Sequence, residues 1–453
     1  MRNQNREVRL ALLLGQRNYH ALRAALADMN DVDIAHFIEE LPDEQATLTF
    51  RTLAKDQAMD VFAELDADTQ QHIVNSITDR ELAALMDDLA VDDAVDMLEE
   101  MPAALVKRVL QNSSPETRQL INQFLKYPDN SAGSIMTAEY TDLRRSMTVE
   151  DAIKRIRRTG GMKETIYTCY VVDETRFLEG VVTVKDLLLA HDSQTVEEIM
   201  EPDVISVATT EDQEEAVKLL AKYDLISLPV VDAEKRLVGI VTVDDAVDVI
   251  QEEATEDFEK MAGIAPSERP YLKTGVLALS KNRILWLLIL MVSGMITGAI
   301  LGNFEAAFSA FPLLVTFIPM LTDTGGDAGS QASTLVIRGM AVGEIEMKDF
   351  LRVVWKEARI SVLIGIPLGL VNVVRIRLNY PDSHPMVAVI VSLAMVCTIV
   401  LANTIGGILP MVAKLFRIDP ALMAAPLIST LVDACSLIIY FTIAVLLLPM
   451  GGA

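Results

Sequence analysis

Three aspartates in this chain of 453 residues stand where hydrocarbon would not tolerate them. Asp323 and Asp327 lie in Pro319-Met-Leu-Thr-Asp-Thr-Gly-Gly-Asp-Ala-Gly-Ser-Gln331, a polar, glycine-rich run inside a membrane-length apolar stretch. Asp433 sits in LISTLVDACSLIIYF, with apolar residues for at least a turn on each side and Ser429, Thr430 and Ser436 nearby. A carboxylate at the centre of a bilayer costs about 2.5–3.5 kcal/mol on insertion scales, so it needs a protein interior or a wet cavity. The chemistry such groups offer is attraction of hard cations. Mg2+ gives up its water reluctantly, so a path lined by carboxylates and carbonyls can hold it through its hydration shell, provided binding stays weak enough for exit. Two plainer readings stay open at this point. The 319–331 run could be a loop outside the membrane, and Asp433 a protonated or hydrogen-bonded structural residue. Cys169, Cys397 and Cys435 are scattered, without a disulfide framework or zinc spacing, and no His/Cys cluster competes for the metal assignment.

Such carboxylates must be positioned by membrane helices. Five apolar spans are predicted near Ile284–Gly302, Phe304–Leu321 with a polar continuation to Met340, Ile360–Val374, Met386–Phe416 and Ala421–Pro449. Each is long enough for ~30 Å of hydrocarbon, the third only if its Trp355-to-Arg359 flank snorkels. Pro312, Pro319, Pro410 and Pro426, with Gly406-Gly407, can break helices and free carbonyls towards the same path. Lys273, Lys281 and Arg283 precede the first span. Arg338, Lys348, Arg352, Lys356 and Arg359 lie between the second and third, and Lys414 and Arg417 between the fourth and fifth. Only Arg375 and Arg377 fall on the other side, so the positive-inside rule puts the N-terminal part in the cytoplasm and the C-terminus outside. The short apolar stretch Leu10–Gly15 is weak for a signal peptide and reads as the opening of a helix.

The formal charge of −25 is uneven. From Tyr271 onward there are 12 Lys/Arg and 10 Asp/Glu, against 27 and 54 in the first 270 residues. So acidic a front repels phosphates, which excludes nucleic acid as a partner and makes divalent cations the natural one. A merely solubilising acidic face is the alternative. Residues 1–127 read as helices throughout, with a degenerate unit at DIAHFIEELP (Asp33–Pro42), QAMDVFAELD (Gln57–Asp66), ELAALMDDLA (Glu81–Ala90) and DAVDMLEEMP (Asp93–Pro102). Units with one apolar face bury it by stacking, which gives a small superhelix. After the break at Tyr127–Gly133, two related halves follow, each with an Ile-Met entry, a helix, a strand ending in Val-Val-Asp, a hairpin and a second strand leading to Gly-x-x-Thr-x-x-Asp.

From about Ser131 to Ala254 these halves resemble a tandem pair of CBS domains, regulatory β-α-β-β-α modules. The whole order resembles the MgtE family of bacterial magnesium channels: acidic helical domain, CBS pair, acidic connecting helix QEEATEDFEKMAGIAP and five spans. The Gly-Gly-x-x-Gly-x-Gln run of the second span, and Arg417-Ile-Asp-Pro-Ala421 with Asp433 in the fifth, match as well. The resemblance implies a multidomain fold: an all-α N-terminal superhelical domain (1–127), α/β tandem CBS domains (128–249), a connecting helix and linker (250–270) and an α-helical membrane domain (271–453). It further implies a homodimer in the inner-membrane lipid bilayer with a pore on the twofold axis, closed when cytosolic Mg2+ is plentiful. Carried over by residue, Gly326, Asp327 and Asp433 would meet Mg2+ in the pore. Asp92 and Asp96 would face Asp245 and Asp248 as sensors, with further sites at Asp212, Glu214 and Asp224, at Glu253, Glu256 and Asp257, and at Asp419. The motifs Gly180–Asp186 and Gly239–Asp245 keep the spacing with which CBS pairs bind adenine nucleotides, so Thr183, Asp186 and Thr242 would hold ATP as a regulator. The alternative is that Asp186 and Asp245 only cap helices. One departure is Asp327, where the family usually has Asn. It either faces the pore and shifts preference among divalent metals, or caps a half-helix that follows it. No nucleophile–base set and no P-loop points to an enzyme. A Mn2+, Co2+ or Ni2+ transporter, a membrane-anchored metal or nucleotide sensor and a cation-coupled secondary transporter remain the rivals.

Overall fold

A computed structural model describes residues 2–267, 271–304, 311–423 and 425–448. They fall into two compact units, Met1–Gln251 and Glu252–Ala453.

The first unit opens with ten short helices, from Arg2–Gly15 to Pro115–Phe124. Helices of 8–14 residues are marginal alone, so their stability comes from stacked apolar faces. Ile34, Phe50, Phe62, Ile73, Leu82 and Val95 of successive helices lie in one continuous core. Each recurring sequence unit falls on a helix: Asp31–Glu39, Lys55–Ala63, Asp79–Asp88 and Val91–Glu99. Caps sharpen the turns, among them the reciprocal box of Thr78 and Glu81.

Two small sheets follow. In the first, β2 (Thr168–Val172) lies between β1 (Thr141–Leu143), to which it is parallel, and antiparallel β3 (Leu178–Thr183). The second repeats this with β4 (Val207–Ala208), β5 (Ser227–Val231) and β6 (Leu237–Thr242). The glycines of the paired motifs are required by packing. A Cβ on Gly180 would lie 2.7 Å from Met200 Sδ, and one on Gly239 2.7 Å from Met136 Sδ. Each half's Ile-Met entry therefore seats on the other half's glycine. Across the pair, Tyr170 Oη and Ser227 Oγ are 2.7 Å apart in a hydrogen bond.

The connecting helix runs Val243–Met261. The second unit then holds an outer helix (Val276–Asn303), a polar helix (Ile318–Ala341), a long helix (Phe350–Asn379), a central helix (Pro385–Leu415) and a last helix (Ala425–Leu447). Among the described residues four helical stretches are long and apolar enough to cross a membrane: Val276–Asn303, Met347–Asn379, Pro385–Leu415 and Pro420–Leu447. The second predicted span is displaced. Part of it (305–310) lies outside the described residues, Pro312–Phe317 form a 3-10 turn, and the supposed polar continuation is itself the helix. The third is longer than predicted because Trp355 to Arg359 continue the helix, with the Arg359 guanidinium over the Trp355 ring. The predicted breaks at Pro410 and Gly406-Gly407 are absent. These residues lie within the unbroken central helix, while Pro319 occupies the first turn of the polar helix, where a missing N–H costs nothing.

Candidate functional site: a polar helix face and an acidic cluster

The polar helix packs between the central and last helices, and glycine makes this possible. A Cβ on Gly406 would lie 2.2 Å from Gly329 O, and one on Gly325 would meet Thr398 at 2.6 Å and Val432 at 2.8 Å. Backbones this close are the membrane's substitute for a hydrophobic driving force. Leu321, Gly325, Gly326, Gly329, Ala332, Ser333 and Val336 are the buried side. Asp323, Asp327, Gln331, Thr334 and Arg338 are exposed, and steps of four and three keep them on one face. A helix of 24 residues is about 36 Å long, so this polar stripe runs along much of a bilayer's depth. Lipid cannot solvate such a face.

Asp433 is placed at the level of that stripe. Gly326 faces Ser429, and Gly325 faces Val432 and Ser436, so the last helix crosses the polar helix beside Asp433. Asp433 is half-buried and within electrostatic range of Asp323, and no described residue forms an ion pair or hydrogen bond with it. The polar run is thus a continuous helix rather than an unwound segment or an external loop. Gly326 is a buried helical residue, and Asp327 lies mid-helix, which removes the reading of it as an N-cap. Glycine was read as a breaker, but here it allows close approach.

In the first unit the structure gathers carboxylates that the sequence scattered. Asp92, on Val91–Glu99, lies within electrostatic range of Asp93, Asp245 and Glu164. Burial first, then these like charges, pushes its carboxyl up to about 8, and its Oδ1 is buried without a partner. Asp93 is pushed up to about 6 by burial, then by Asp245 and Glu164. Asp245, Glu139 and Glu164 are raised as well, each chiefly by burial. Asp92 does face Asp245 as the resemblance implied. Asp96, Asp248 and Glu164 are exposed, with Asp248 still within electrostatic range of Asp245, while Asp93 and Glu139 are half-buried. The signal of Glu139 and Glu164 was faint, because they lie in connections with no repeat to mark them.

The other carried-over residues are dispersed. Asp212 accepts from Glu214 N–H at 2.8 Å as an N-cap, Glu214 pairs with Lys218 at 2.8 Å, and Asp224 is exposed with φ +52°. Thr183 and Asp186 form a capping box in which Thr183 Oγ1 donates to Asp186 at 2.5 Å, and Thr242 Oγ1 donates to Asp245 at 2.5 Å. The capping role of both aspartates is therefore real, while Asp186 remains exposed. On the connecting helix Glu253, Glu256 and Asp257 are half-buried. Lys260, which the sequence reading missed, joins Glu256 at 2.7 Å and Asp419 at 2.6 Å. Among the described residues no three His, Cys, Asp or Glu side chains converge closely enough to hold a bare ion. Spaced carboxylates suit a cation that keeps its water.

Apolar helices of spanning length packed around a helix with an exposed polar face define a multi-pass membrane protein. The sequence profile of the divalent cation transporter domain matches residues 318–443, that of the MgtE intracellular N domain 29–130, and that of the CBS domain 132–192 and 196–252. The chain is 39% identical to the magnesium transporter MgtE of Thermus thermophilus over 97% of its own length and 98% of that protein's. It is 31% identical to MgtE of Bacillus subtilis over 96% of each. A crystal structure of the cytosolic domain of the Mg2+ channel MgtE in complex with ATP covers 54% of this chain and 99% of that one, at 37% identity and TM-score 0.52. The soluble part of a magnesium transporter covers 56% and 99%, at 28% identity and TM-score 0.53. The chain belongs to the MgtE family, whose members are transporters rather than enzymes.

Proposed function

We propose that the chain is a gated Mg2+ channel of the bacterial inner membrane, working as a homodimer and closed by cytosolic Mg2+. The observation that carries this reading is the exposed polar face of Ile318–Ala341 at the level of Asp433. Among the described residues that face has no cover, and a second copy across a water-filled axis supplies one. Asp327 and Asp433 then draw hydrated cations into the path, and Gly326 sets the spacing between the two helices that carry them. The basic residues flanking the spans put the N-terminal domains in the cytoplasm. There, Asp92, Asp93 and Asp245 repel one another until Mg2+ enters among them, and binding to the compact arrangement shifts the population towards the closed channel. ATP at Thr183, Asp186 and Thr242 modulates that balance, a reading supported by the ATP complex of a related cytosolic domain.

The test is divalent-metal flux into liposomes. Asp433→Ala should lower Mg2+ flux roughly tenfold or more, the concentrating power of a charged cleft. Normal flux in that variant removes Asp433 from the path. Asp327 leaves a second reading alive, a preference for Mn2+, Co2+ or Ni2+, because its carboxylate lies exposed on the same face as Asp323. Asp327→Asn, run across the same ions, decides between the two.

A further inference from the structure

The end of the connecting helix carries a cation of its own. Lys260 Nζ lies 2.6 Å from Asp419 Oδ2 and 2.7 Å from Glu256 Oε1, with only a fifth of its side chain exposed (20%). Asp419 is engaged on both sides, since its Oδ1 accepts from Ala421 N–H at 2.8 Å and so caps the Pro420–Met423 turn that leads towards the last helix. Burial works against the Lys260 charge, but Asp419 and Glu256 outweigh it and hold the ammonium above the usual lysine range. Neighbouring contacts fix the same junction. Gly263, at φ +70°, turns the chain where a Cβ would lie 3.1 Å from Pro426 and 3.8 Å from Trp286. Ala265 N–H donates to Asn282 O at 3.0 Å, and Ser267 N–H to Glu259 at 2.9 Å.

We infer that Lys260 is a tethered counter-ion that latches the connecting helix to the start of the last helix without metal. The inference rests on the channel reading for its consequence, not for its geometry. Glu256 and Asp419 were candidates for a divalent sensor site, yet the protein's own ammonium already joins them. The latch therefore gives the closed arrangement a metal-independent share of its stability, on top of which the divalent sites act. Without Lys260 two carboxylates would face each other, and the junction would rest on the neighbouring contacts until a divalent ion bridged them.

The experiment uses the full chain in lipid nanodiscs, with Lys260→Met, Lys260→Arg and wild type compared in chelator and in millimolar Mg2+. Hydrogen exchange over residues 252–267 should speed up in Lys260→Met in chelator by roughly two- to fivefold, the range a partly exposed ion pair supports. Mg2+ should restore protection, and Lys260→Arg should keep most of it. In liposomes the same Met variant should show low-Mg2+ flux raised by a similar factor, with inhibition at high Mg2+ retained. Unchanged exchange in Lys260→Met, or loss of protection that Mg2+ does not restore, overturns the latch. A wild type that exchanges as described but carries no divalent flux overturns the channel reading and leaves the latch standing.

Discussion

The molecule uses carboxylates in two opposite ways. Around Asp92, Asp93 and Asp245 they are crowded and partly desolvated, so the fold holds unrelieved repulsion that a cation or a proton can relieve. Along the polar helix Asp323 and Asp327 are exposed, with Asp433 half-buried beside them. On the proposed reading the first arrangement makes a conformation depend on ion concentration. On the same reading the second presents its charge to passing cations. On the proposed reading, the first cluster is the sensing one and the second the conducting one, and the first is the more crowded with like charges.

The comparison breaks most severely if the polar face loses its support. Gly406→Ala puts a methyl group 2.2 Å from Gly329 O, backbone that cannot give way. The helices must separate, at a cost of about 3 kcal/mol, the upper end for overpacking. The expected outcome is a clear drop in the thermal midpoint of the purified membrane protein. Gly298→Ala, where no neighbour lies within 4 Å, should leave it unchanged or slightly raised. Equal behaviour of the two variants would mean that close helix contact does not hold the polar face in place.

The sensing side is sharpened by pH. Because the compact arrangement raises the Asp92 carboxyl from 3.8 to about 8, it binds a proton that the open arrangement releases. Its stability in chelator is therefore greatest at low pH and is lost as pH rises from the ordinary carboxylate range through about 8. Hydrogen exchange of the Val91–Glu99 helix should accelerate over that window in chelator and stay slow in Mg2+. Asp92→Asn removes this titrating carboxyl and should flatten the profile. A profile as steep in the variant as in wild type would move the sensing role to Asp93 or elsewhere.

Much of this was legible from local pattern. The helical repeat, the paired Gly-x-x-Thr-x-x-Asp motifs and the apolar stretches announce themselves by spacing, because periodic burial has a periodic signature. What stayed hidden depended on neighbours distant in sequence. Gly325, Gly326 and Gly329 look like a loop until the central and last helices are set against them. Glu164 gives no sign of its nearness to Asp245 until the fold brings the two together, and Lys260 none of its pairing until Asp419 meets it. Glu357, buried against Gly407, went unremarked for the same reason.

The two motif aspartates offer the finest test, since sequence makes them equivalent and environment does not. Asp186 accepts from Thr183 N–H and Oγ1 in an exposed capping box. Asp245 accepts from Thr242 in the same way but stands among Asp244, Asp248, Asp92 and Asp93. Asp186→Ala should therefore destabilise by about 1 kcal/mol, the ordinary worth of a cap, whether or not Mg2+ is present. Asp245→Ala loses a similar hydrogen bond but relieves repulsion, so in chelator its net effect should be near zero. In Mg2+ it should turn destabilising, because the ion then lacks one of its carboxylates. Thermal midpoints of both variants, each measured in chelator and in Mg2+, decide the matter. If the Asp245→Ala shift is insensitive to Mg2+, the crowded carboxylates are only a strained cap, and the division between stored and presented charge fails at its sensing end.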